Sequence, residues 1–293
     1  MVERVRRFNR TVTERIGVLD DHFLGRGRPL GEARLLWEIG GGAELRELRA
    51  RLGLDSGYLS RLLASLKAQG LVRVEASRDD RRVRRARLTR AGLSERGVLD
   101  RRADELAGAL LDSLAPSQRE RLVAAMDQVE RLVAASMIEI AAEPPDSADA
   151  VACIQHYFAE LDRRFAGGFA PERSIPADVA ELTPPAGVLL VARLRGEAVG
   201  CGALKLSPGE PGQIKRMWIA PSVRGAGLGR RMLVELEGRA REAGARRVRL
   251  ETNSALAEAI QLYRETGYRE VPAFNDEPYA HHWFEKELPW RGG

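Results

Sequence analysis

Hydrophobic positions in the first half of the chain recur at helical spacing. Val5, Phe8, Val12, Ile16, Leu19 and Phe23 fall three and four residues apart and predict one amphipathic helix face. Leu106, Leu110, Leu114, Leu122, Met126, Val129, Leu132 and Val133 form similar stripes around a break at Pro116. Between these ends, residues 45–52 predict a short helix closed by Gly53. A second helix, capped by Asp55 or Ser56, runs to Gln69 and stops at Gly70. Its Leu59, Leu62, Leu63 and Leu66 point one way. Ser56, Gly57, Tyr58, Ser60 and Arg61 are left on its outer, N-terminal face. Two strands follow, over 71–75 and 83–88.

The helical pattern ends at Ala141-Ala142-Glu143-Pro144-Pro145-Asp146-Ser147-Ala148, where two prolines break a helix. This seam divides the chain into a domain over 1–141, a linker over 142–149 and a domain over 150–293. Past it, Ile154, Tyr157, Phe158, Leu161 and Phe165 suggest one more helix. The pattern then alternates. Strands at 188–194 and 199–206 are joined by the turn Arg195-Gly196-Glu197, and a strand follows at 214–219. A helix at 228–243, a strand at 247–252 and a helix at 255–266 lead to short strands near 268–271 and 282–287. The second half is therefore an α/β domain with a mixed sheet, and the whole chain an α+β multidomain protein.

Composition narrows the class. A chain of 293 residues with 44% apolar and 30% charged residues can bury two globular cores. The longest apolar run, 188–192, is far too short to span a bilayer, so no membrane partner is expected. Charges at Glu3, Arg4, Arg6 and Arg7, with no apolar stretch behind them, read as no secretion signal. Two cysteines, Cys153 and Cys201, fit a reducing cytoplasm. With four histidines and two distant cysteines, a metal site is not expected. Residues 1–140 hold 27 Lys+Arg against 21 Asp+Glu, whereas 141–293 hold 20 against 21. A basic half joined to a near-neutral half is the footprint of a nucleic-acid module attached to something else.

The basic half carries that module's parts. A helix–turn–helix reads base edges with the N-terminal part of its second helix, which here offers Ser56, Tyr58, Ser60 and Arg61. Eight arginines and three acids lie between Arg73 and Arg90, on a hairpin directly behind it. An Arg-tipped hairpin can enter a narrow minor groove. The order of elements, with Gly-Leu-Val at 70–72, Asp80-Arg81-Arg82 and Leu88-Thr89-x-x-Gly92, resembles the winged-helix MarR family of transcriptional regulators over residues 1–138. The resemblance implies a homodimer held by the terminal helices, on a double-stranded, pseudo-palindromic operator. It also implies that Arg82 makes the wing-tip contact, that Asp80 shapes the wing and that Arg78 lies beside them.

The second half holds Arg224-Gly225-Ala226-Gly227-Leu228-Gly229 between a strand and a helix. Glycines let backbone N–H groups approach a pyrophosphate, and the helix N-terminus adds its positive dipole end. The dinucleotide fingerprint fails because Arg230 stands where glycine is needed, and the P-loop Gly-Lys-Ser/Thr is missing. Arg-x-x-Gly-x-Gly after a strand resembles the acetyl-CoA loop of the GNAT N-acetyltransferases, and Asn253 through Tyr268 resembles their second signature. The likeness covers about 150–288 and implies acetyl-CoA as co-substrate, with no metal. One departure is that the family's first strand is not evident ahead of the helix.

By that resemblance, Tyr263 is the general acid toward the thiolate, and Asn253 bonds the pantetheine arm or a water. Backbone N–H groups around Trp218 and Ile219 are the natural donors to the thioester carbonyl. The base is open. Gln213 stands where relatives commonly place a glutamate and cannot take a proton, which leaves Glu251, His281 or His282, or a water relay. The segment 274–286, with Phe274, Glu277, Tyr279 and His281, is placed at the acceptor pocket. Three functions stay in play: acetylation of a primary amine on a small molecule or amino acid, an acyl-CoA sensor controlling DNA binding, and a protein lysine acetyltransferase.

Overall fold

A computed structural model describes residues 1–16, 23–76, 80 and 82–289. The chain divides into two compact units, Met1–Met126 and Asp127–Gly293. No described helix is long and apolar enough to cross a membrane.

The first unit contains helices α1 (Val2–Arg15), α2 (Leu30–Ile39), α3 (Leu45–Leu52), α4 (Ser56–Ala68) and α5 (Arg90–Asp112), and the start of α6 (Pro116–Ser136). Its antiparallel sheet has the order β1 (Ala43–Glu44), β3 (Arg84–Leu88), β2 (Val72–Ala76). Gly53 ends α3 at φ 63°, and the Asp55 side chain caps α4 by accepting from the Tyr58 N–H at 2.8 Å. Leu35, Leu36, Leu48, Leu66 and Leu99 are fully buried and form the centre of the core. The first helix is shorter than its apolar spacing suggests. It ends at Arg15, Leu19 falls outside the described residues, and Phe23 joins the core instead.

The Leu-Thr-x-x-Gly signature has a local cause. Thr89 caps α5 by accepting from the Gly92 N–H at 3.1 Å and donates to the Gly70 carbonyl at 2.7 Å. A Cβ on residue 92 would lie 2.1 Å from the Leu71 carbonyl oxygen, so only glycine lets α5 pass that close to the turn entering β2. A polar network locks the other end of α4. Glu95 of α5 accepts from Arg26 at 2.6 Å and from Arg28 at 3.2 Å, and Arg28 donates to Gln69 at 3.1 Å. Glu32 of α2 accepts from Ser65 at 2.6 Å and from Gln69 at 3.0 Å.

In the second unit a seven-stranded sheet has the order β4-β5-β6-β7-β8-β10-β9. Its strands are β4 (Glu139–Ala142), β5 (Gly187–Leu194), β6 (Glu197–Lys205), β7 (Gly212–Ile219), β8 (Arg247–Thr252), β9 (Arg269–Val271) and β10 (His282–Glu287). Helices α7 (Ala148–Arg164), α8 (Leu228–Glu242) and α9 (Ala257–Glu265) complete it. All strand pairs are antiparallel except β7 with β8. Leu190 and Ala192 pack with Met232, Leu233 and Leu236 of α8, while Leu189 and Val191 pack with Ala150 and Cys153 of α7. Cover on both faces explains why β5 is continuously apolar instead of alternating.

The seam differs from the sequence expectation. Residues 139–142 form β4, paired with β5 from Glu139↔Arg193 to Ala142↔Leu190, so the first strand exists and lies just ahead of the prolines. Four residues of which two are alanine carry too little alternation to announce a strand. Consequently the span expected as a linker, 142–149, begins on a strand end and finishes inside α7. The C-terminal turn of α6 is tied to this unit as well. Arg231 donates to the Ala135 carbonyl at 2.6 Å and to the Ile138 carbonyl at 2.8 Å.

The bond from Arg26, with charge from Arg28, holds the Glu95 carboxyl below the ordinary carboxylate range despite its burial. A lowered folded-state pKa contributes stability above the unfolded value and loses it as pH falls through the folded one. Glu95→Gln, which keeps the shape but loses the charge, should therefore cost about 1.5–3 kcal/mol near neutral pH. In chemical denaturation the gap to the parent should narrow below about pH 4.3, the ordinary glutamate value.

Candidate functional site

Strands β7 and β8 run parallel in register only at Gly212↔Val248 and Gln213↔Arg249. Beyond that point they separate. Between the pairs Cys201↔Trp218 and Ala203↔Lys215, β7 has one residue more than β6, which makes a bulge. Arg216 sits in it at φ 53°, a left-handed conformation that costs a non-glycine residue of order 1–3 kcal/mol. The bulge interrupts the two-residue alternation, so Ile214, Lys215, Arg216 and Met217 all border one cavity.

That cavity, of about 480 Å³, is walled by Tyr157 and Phe158 of α7, by β7 and by Glu251–Asn253. It is covered by the segment 165–178. A second cavity, also about 480 Å³, runs from Trp218 and Ile219 past Arg224, Gly225 and Gly227 to α9. Both are bordered by Tyr157, Leu161, Met217, Leu256, Ala259 and Tyr263. Two compartments thus meet where the strands diverge.

The second cavity has a built anion seat. Gly225 and Gly227 have φ of 78° and 82°, and a Cβ on either would project into open space. The first turn of α8 leaves the N–H groups of Leu228, Gly229 and Arg230 without intrahelical acceptors. Such donors with an apolar channel beyond them suit a pyrophosphate carrying a long, thin arm. Leu228 is buried, so it can offer only its backbone, and Ala226 does not line the channel. Arg224 is an anchor: it donates to the Ile219 carbonyl at 2.8 Å and pairs with Glu160. Burial alone would push the Glu160 carboxyl up. Bonds from Arg224, Trp218 and Arg164 outweigh it and hold the group below the ordinary range. Glu160, which sequence pattern did not single out, therefore ties α7 to the loop and to β7.

The Ala220 N–H is used by the Val199 carbonyl at 2.9 Å. Alternation then turns the Ile219 N–H away from β6, toward the gap, and leaves Trp218 on the β6 side. Trp218 is buried and donates its indole N–H to Glu160 at 3.0 Å. Of the two residues expected to supply a donor, Ile219 has the free geometry.

In the first cavity, Glu251 pairs through Oε1 with Lys215, both side chains being buried. Its other oxygen, Oε2, is buried with no hydrogen-bond partner. Tyr263 is also buried at the junction. Desolvation, with the nearby charge of Glu251, pushes its phenol above the ordinary value. Glu251 thus lines the first cavity, and Tyr263, a phenol that holds its proton, lines both.

The remaining candidates separate. Gln213 is not brought to either cavity, because β7 and β8 are still paired at its position. Phe274 lies outside the cavity walls with the Arg249 guanidinium over its ring at 5.1 Å, and His281 lies against the Ser254 hydroxyl at 2.8 Å. Glu277 and Tyr279 do border the first cavity, but as supports for its cover. Glu277 accepts from the Ser174 hydroxyl at 2.9 Å and the Ile175 N–H at 2.8 Å, and the Tyr279 hydroxyl accepts from the Ala170 N–H at 3.0 Å. Asn253 donates to the Tyr279 carbonyl at 2.7 Å and accepts from the Ala255 N–H at 2.9 Å. Its amide joins the strand end to the closing segment and lines the first cavity, not the second.

In the first unit, Ser56, Tyr58, Ser60 and Arg61 are all exposed along α4, with the Arg61 guanidinium 5.6 Å from the Tyr58 ring centroid. Asp80 accepts from the Arg82 N–H at 2.8 Å and so shapes the turn that presents Arg82 to solvent. Arg78 lies outside the described residues. Other hairpin arginines are engaged locally: Arg87 and Arg73 both pair with Glu75.

Residues 154–268 match the acetyltransferase (GNAT) family, and residues 26–83 match the MarR family. The chain is 38% identical over 122 residues to a protein of Azospirillum brasilense named IAA acetyltransferase, covering 41% of this chain and 78% of that one. It is 34% identical over 84 residues to the uncharacterized N-acetyltransferase YjgM of Escherichia coli K12, covering 28% of this chain and 50% of that one. Among solved structures, an acetyltransferase of the GNAT family from Staphylococcus aureus Mu50 matches at 14% identity and a TM-score of 0.44. That match covers 52% of this chain and 99% of the other.

Gly227 provides the direct test of the anion seat. Gly227→Val cannot hold φ 82° without strain, and its side chain would occupy the space beside the α8 N–H groups. Coenzyme A binding, measured by calorimetry, should be lost while the thermal transition of the protein persists. Retained affinity would put the pyrophosphate elsewhere.

Proposed function

The chain belongs to the acetyltransferase (GNAT) family and also carries a MarR-family segment, and from its two meeting cavities we propose a DNA-binding regulator joined to an N-acetyltransferase of small primary amines. The observation that carries this reading is the shared wall at Tyr263 and Met217. It lets a bound acyl donor and an amine reach each other without leaving the protein. Cover by the segment 165–178 favours a small acceptor over a lysine on a folded protein.

Acetyl-CoA supplies an acetyl group activated as a thioester. Backbone N–H groups of Gly227–Arg230 hold its pyrophosphate, and the Ile219 N–H donates to the thioester carbonyl, where negative charge develops. Glu251 Oε2 accepts a proton from the incoming ammonium, while Lys215 holds the carboxylate in place through Oε1. Tyr263 gives its proton to the departing thiolate. A phenol held above its ordinary pKa stays protonated across the working range, as a donor must.

On the DNA side, the exposed face of α4 enters the major groove and the Asp80-shaped turn carries Arg82 to the minor groove. A homodimer is supported by apolar faces left open on both terminal helices: Phe8 is 50% exposed and Leu132 54%. Arg82→Ala should weaken operator binding and leave the sedimentation of the protein unchanged. Affinity should fall roughly 10³–10⁵-fold between 50 and 200 mM salt if about 6–10 phosphates are neutralised.

The enzyme is tested by thiol release from acetyl-CoA over a panel of small amines. Glu251→Gln should lower kcat on the order of 10²–10⁴-fold near pH 7 and recover part of the loss as rising pH frees the amine. Tyr263→Phe should lower kcat about 10²-fold with little change in coenzyme A affinity. Because the phenol pKa is raised, kcat of the parent should not decline on its alkaline side until above about pH 10. Tight coenzyme A binding with no amine turned over would leave only a sensor.

A further inference from the structure

Among the groups bordering the first cavity, Arg216 is the one that neither the fold nor the proton steps use. It occupies a strained left-handed position in the middle of a strand, at φ 53°. Its guanidinium donates to the Ala177 carbonyl at 3.0 Å and lies 5.1 Å from the Phe158 ring centroid. It makes no ion pair with any described carboxylate. Lys215, its neighbour in sequence, is by contrast neutralised by Glu251. Asp178 and Glu172 also border the cavity and are exposed; neither bonds Arg216, though the charge of Asp178, like that of Glu181, acts on it. Burial pushes the Arg216 pKa down. A guanidinium keeps its proton in proteins, and most of its donors are uncommitted here.

We propose that Arg216 is the seat for a carboxylate on the acceptor, and that the acceptor is an α-amino acid with an aromatic or large apolar side chain. The inference rests on the acetyltransferase reading and deepens it. Three features of the cavity match three parts of such a molecule. The unpartnered Oε2 of Glu251 receives the ammonium. Arg216 stands next to Lys215, the residue that fixes Glu251, and all three border the one cavity, so the amine and the carboxylate of an amino acid each find a partner of opposite charge there. The rest of the enclosure is aromatic. Phe165, Phe169 and Tyr279 contact one another at centroid distances of 4.9–6.0 Å, and Phe158 lies 5.4 Å from Phe169. Carboxylate recognition also accounts for the bulge, since ordinary strand alternation would turn either Lys215 or Arg216 away from the cavity.

The step is balanced by the groups already described. The α-ammonium loses one proton to Glu251, and the neutral nitrogen bonds the acetyl carbon as the carbon–sulfur bond breaks. The thiolate takes the Tyr263 proton, and the second nitrogen proton, lost as the amide forms, returns to the Tyr263 phenolate. Arg216 takes no part in these transfers and acts by holding the acceptor.

Three matched acceptors test the seat: phenylalanine, phenylalaninamide and phenethylamine, which carry a carboxylate, a neutral amide and neither. The parent should prefer phenylalanine by kcat/KM on the order of 10²-fold, mostly through KM, as expected for a lost charge-assisted, bidentate contact. Arg216→Asn is the informative variant, because asparagine tolerates the left-handed conformation. It should erase the preference, bringing phenylalanine and phenethylamine to the same kcat/KM, while coenzyme A affinity, whose seat lies in the other cavity, stays near the parent value. Arg216→Lys should restore part of it. Equal use of phenylalanine and phenethylamine by the parent, or an undiminished preference in Arg216→Asn, overturns the seat and leaves the acetyltransferase reading intact. Calorimetry of N-acetylphenylalanine and its amide with coenzyme A-saturated protein tests the seat without turnover. A carboxylate preference there that Arg216→Asn removes supports it even if no amine reacts, and no preference overturns it.

Discussion

The divergence of β7 from β8 is the constraint on which the second unit depends. Two parallel strands that pair at 212–213 with 248–249 and then part leave backbone and side chains facing a gap inside the sheet. The separation places Ile219, Glu251 and Tyr263 along the walls of two cavities that meet. The gap must be kept open against the tendency of neighbouring strands to zip. Three features do this: the bulge at Arg216, the buried Lys215–Glu251 pair that spans the opening, and α9, whose Tyr263 packs between Tyr268 and Phe284 at its edge. The buried pair is costly to desolvate and gives little net stability on its own. Its value is positional, because it fixes one carboxylate oxygen and leaves the other without a protein partner.

Around the gap the same economy recurs: polar side chains beside the cavities often hold others in place. Glu160 gathers Trp218, Arg224 and Arg164, so the loop, β7 and α7 keep one geometry. Glu277, Tyr279 and Asn253 hold the cover over the first cavity. In the first unit, Glu95 and Glu32 do comparable work behind α4, so that its exposed face can be polar without loosening the helix.

Much of this architecture was legible from the residues. Strands 247–252 and 282–287 and the helices from 45, 56 and 228 are near the positions that periodicity and glycine stops suggest, because each has its own local signal. The glycine-rich turn between a strand and a helix also carries its chemistry in its composition. What stayed hidden depends on contacts far apart in sequence. The opening strand 139–142 is defined only by its pairing with residues 190–193. Glu251 could be separated from Gln213 only by knowing where β7 and β8 part. Arg216 reads as one more strand arginine until its backbone conformation is known, and the cover at 165–178 has no periodicity at all.

The arrangement also bears on the order of chemistry. A covalent acyl-enzyme route would need a nucleophile at the junction of the cavities. Both cysteines are buried in the core between α7 and β6, and neither borders a cavity among the described residues. Ser174 does border one, but its hydroxyl is donated to Glu277. Tyr263 retains its proton, since desolvation disfavours the phenolate that a nucleophile would need to be. Among the described residues none of these is an activated nucleophile, so in the proposed reaction the amine attacks directly, with both substrates present together. Two compartments that share one wall are what such a direct transfer requires, and holding the reactants side by side supplies the orientation that separate encounters in water would lack.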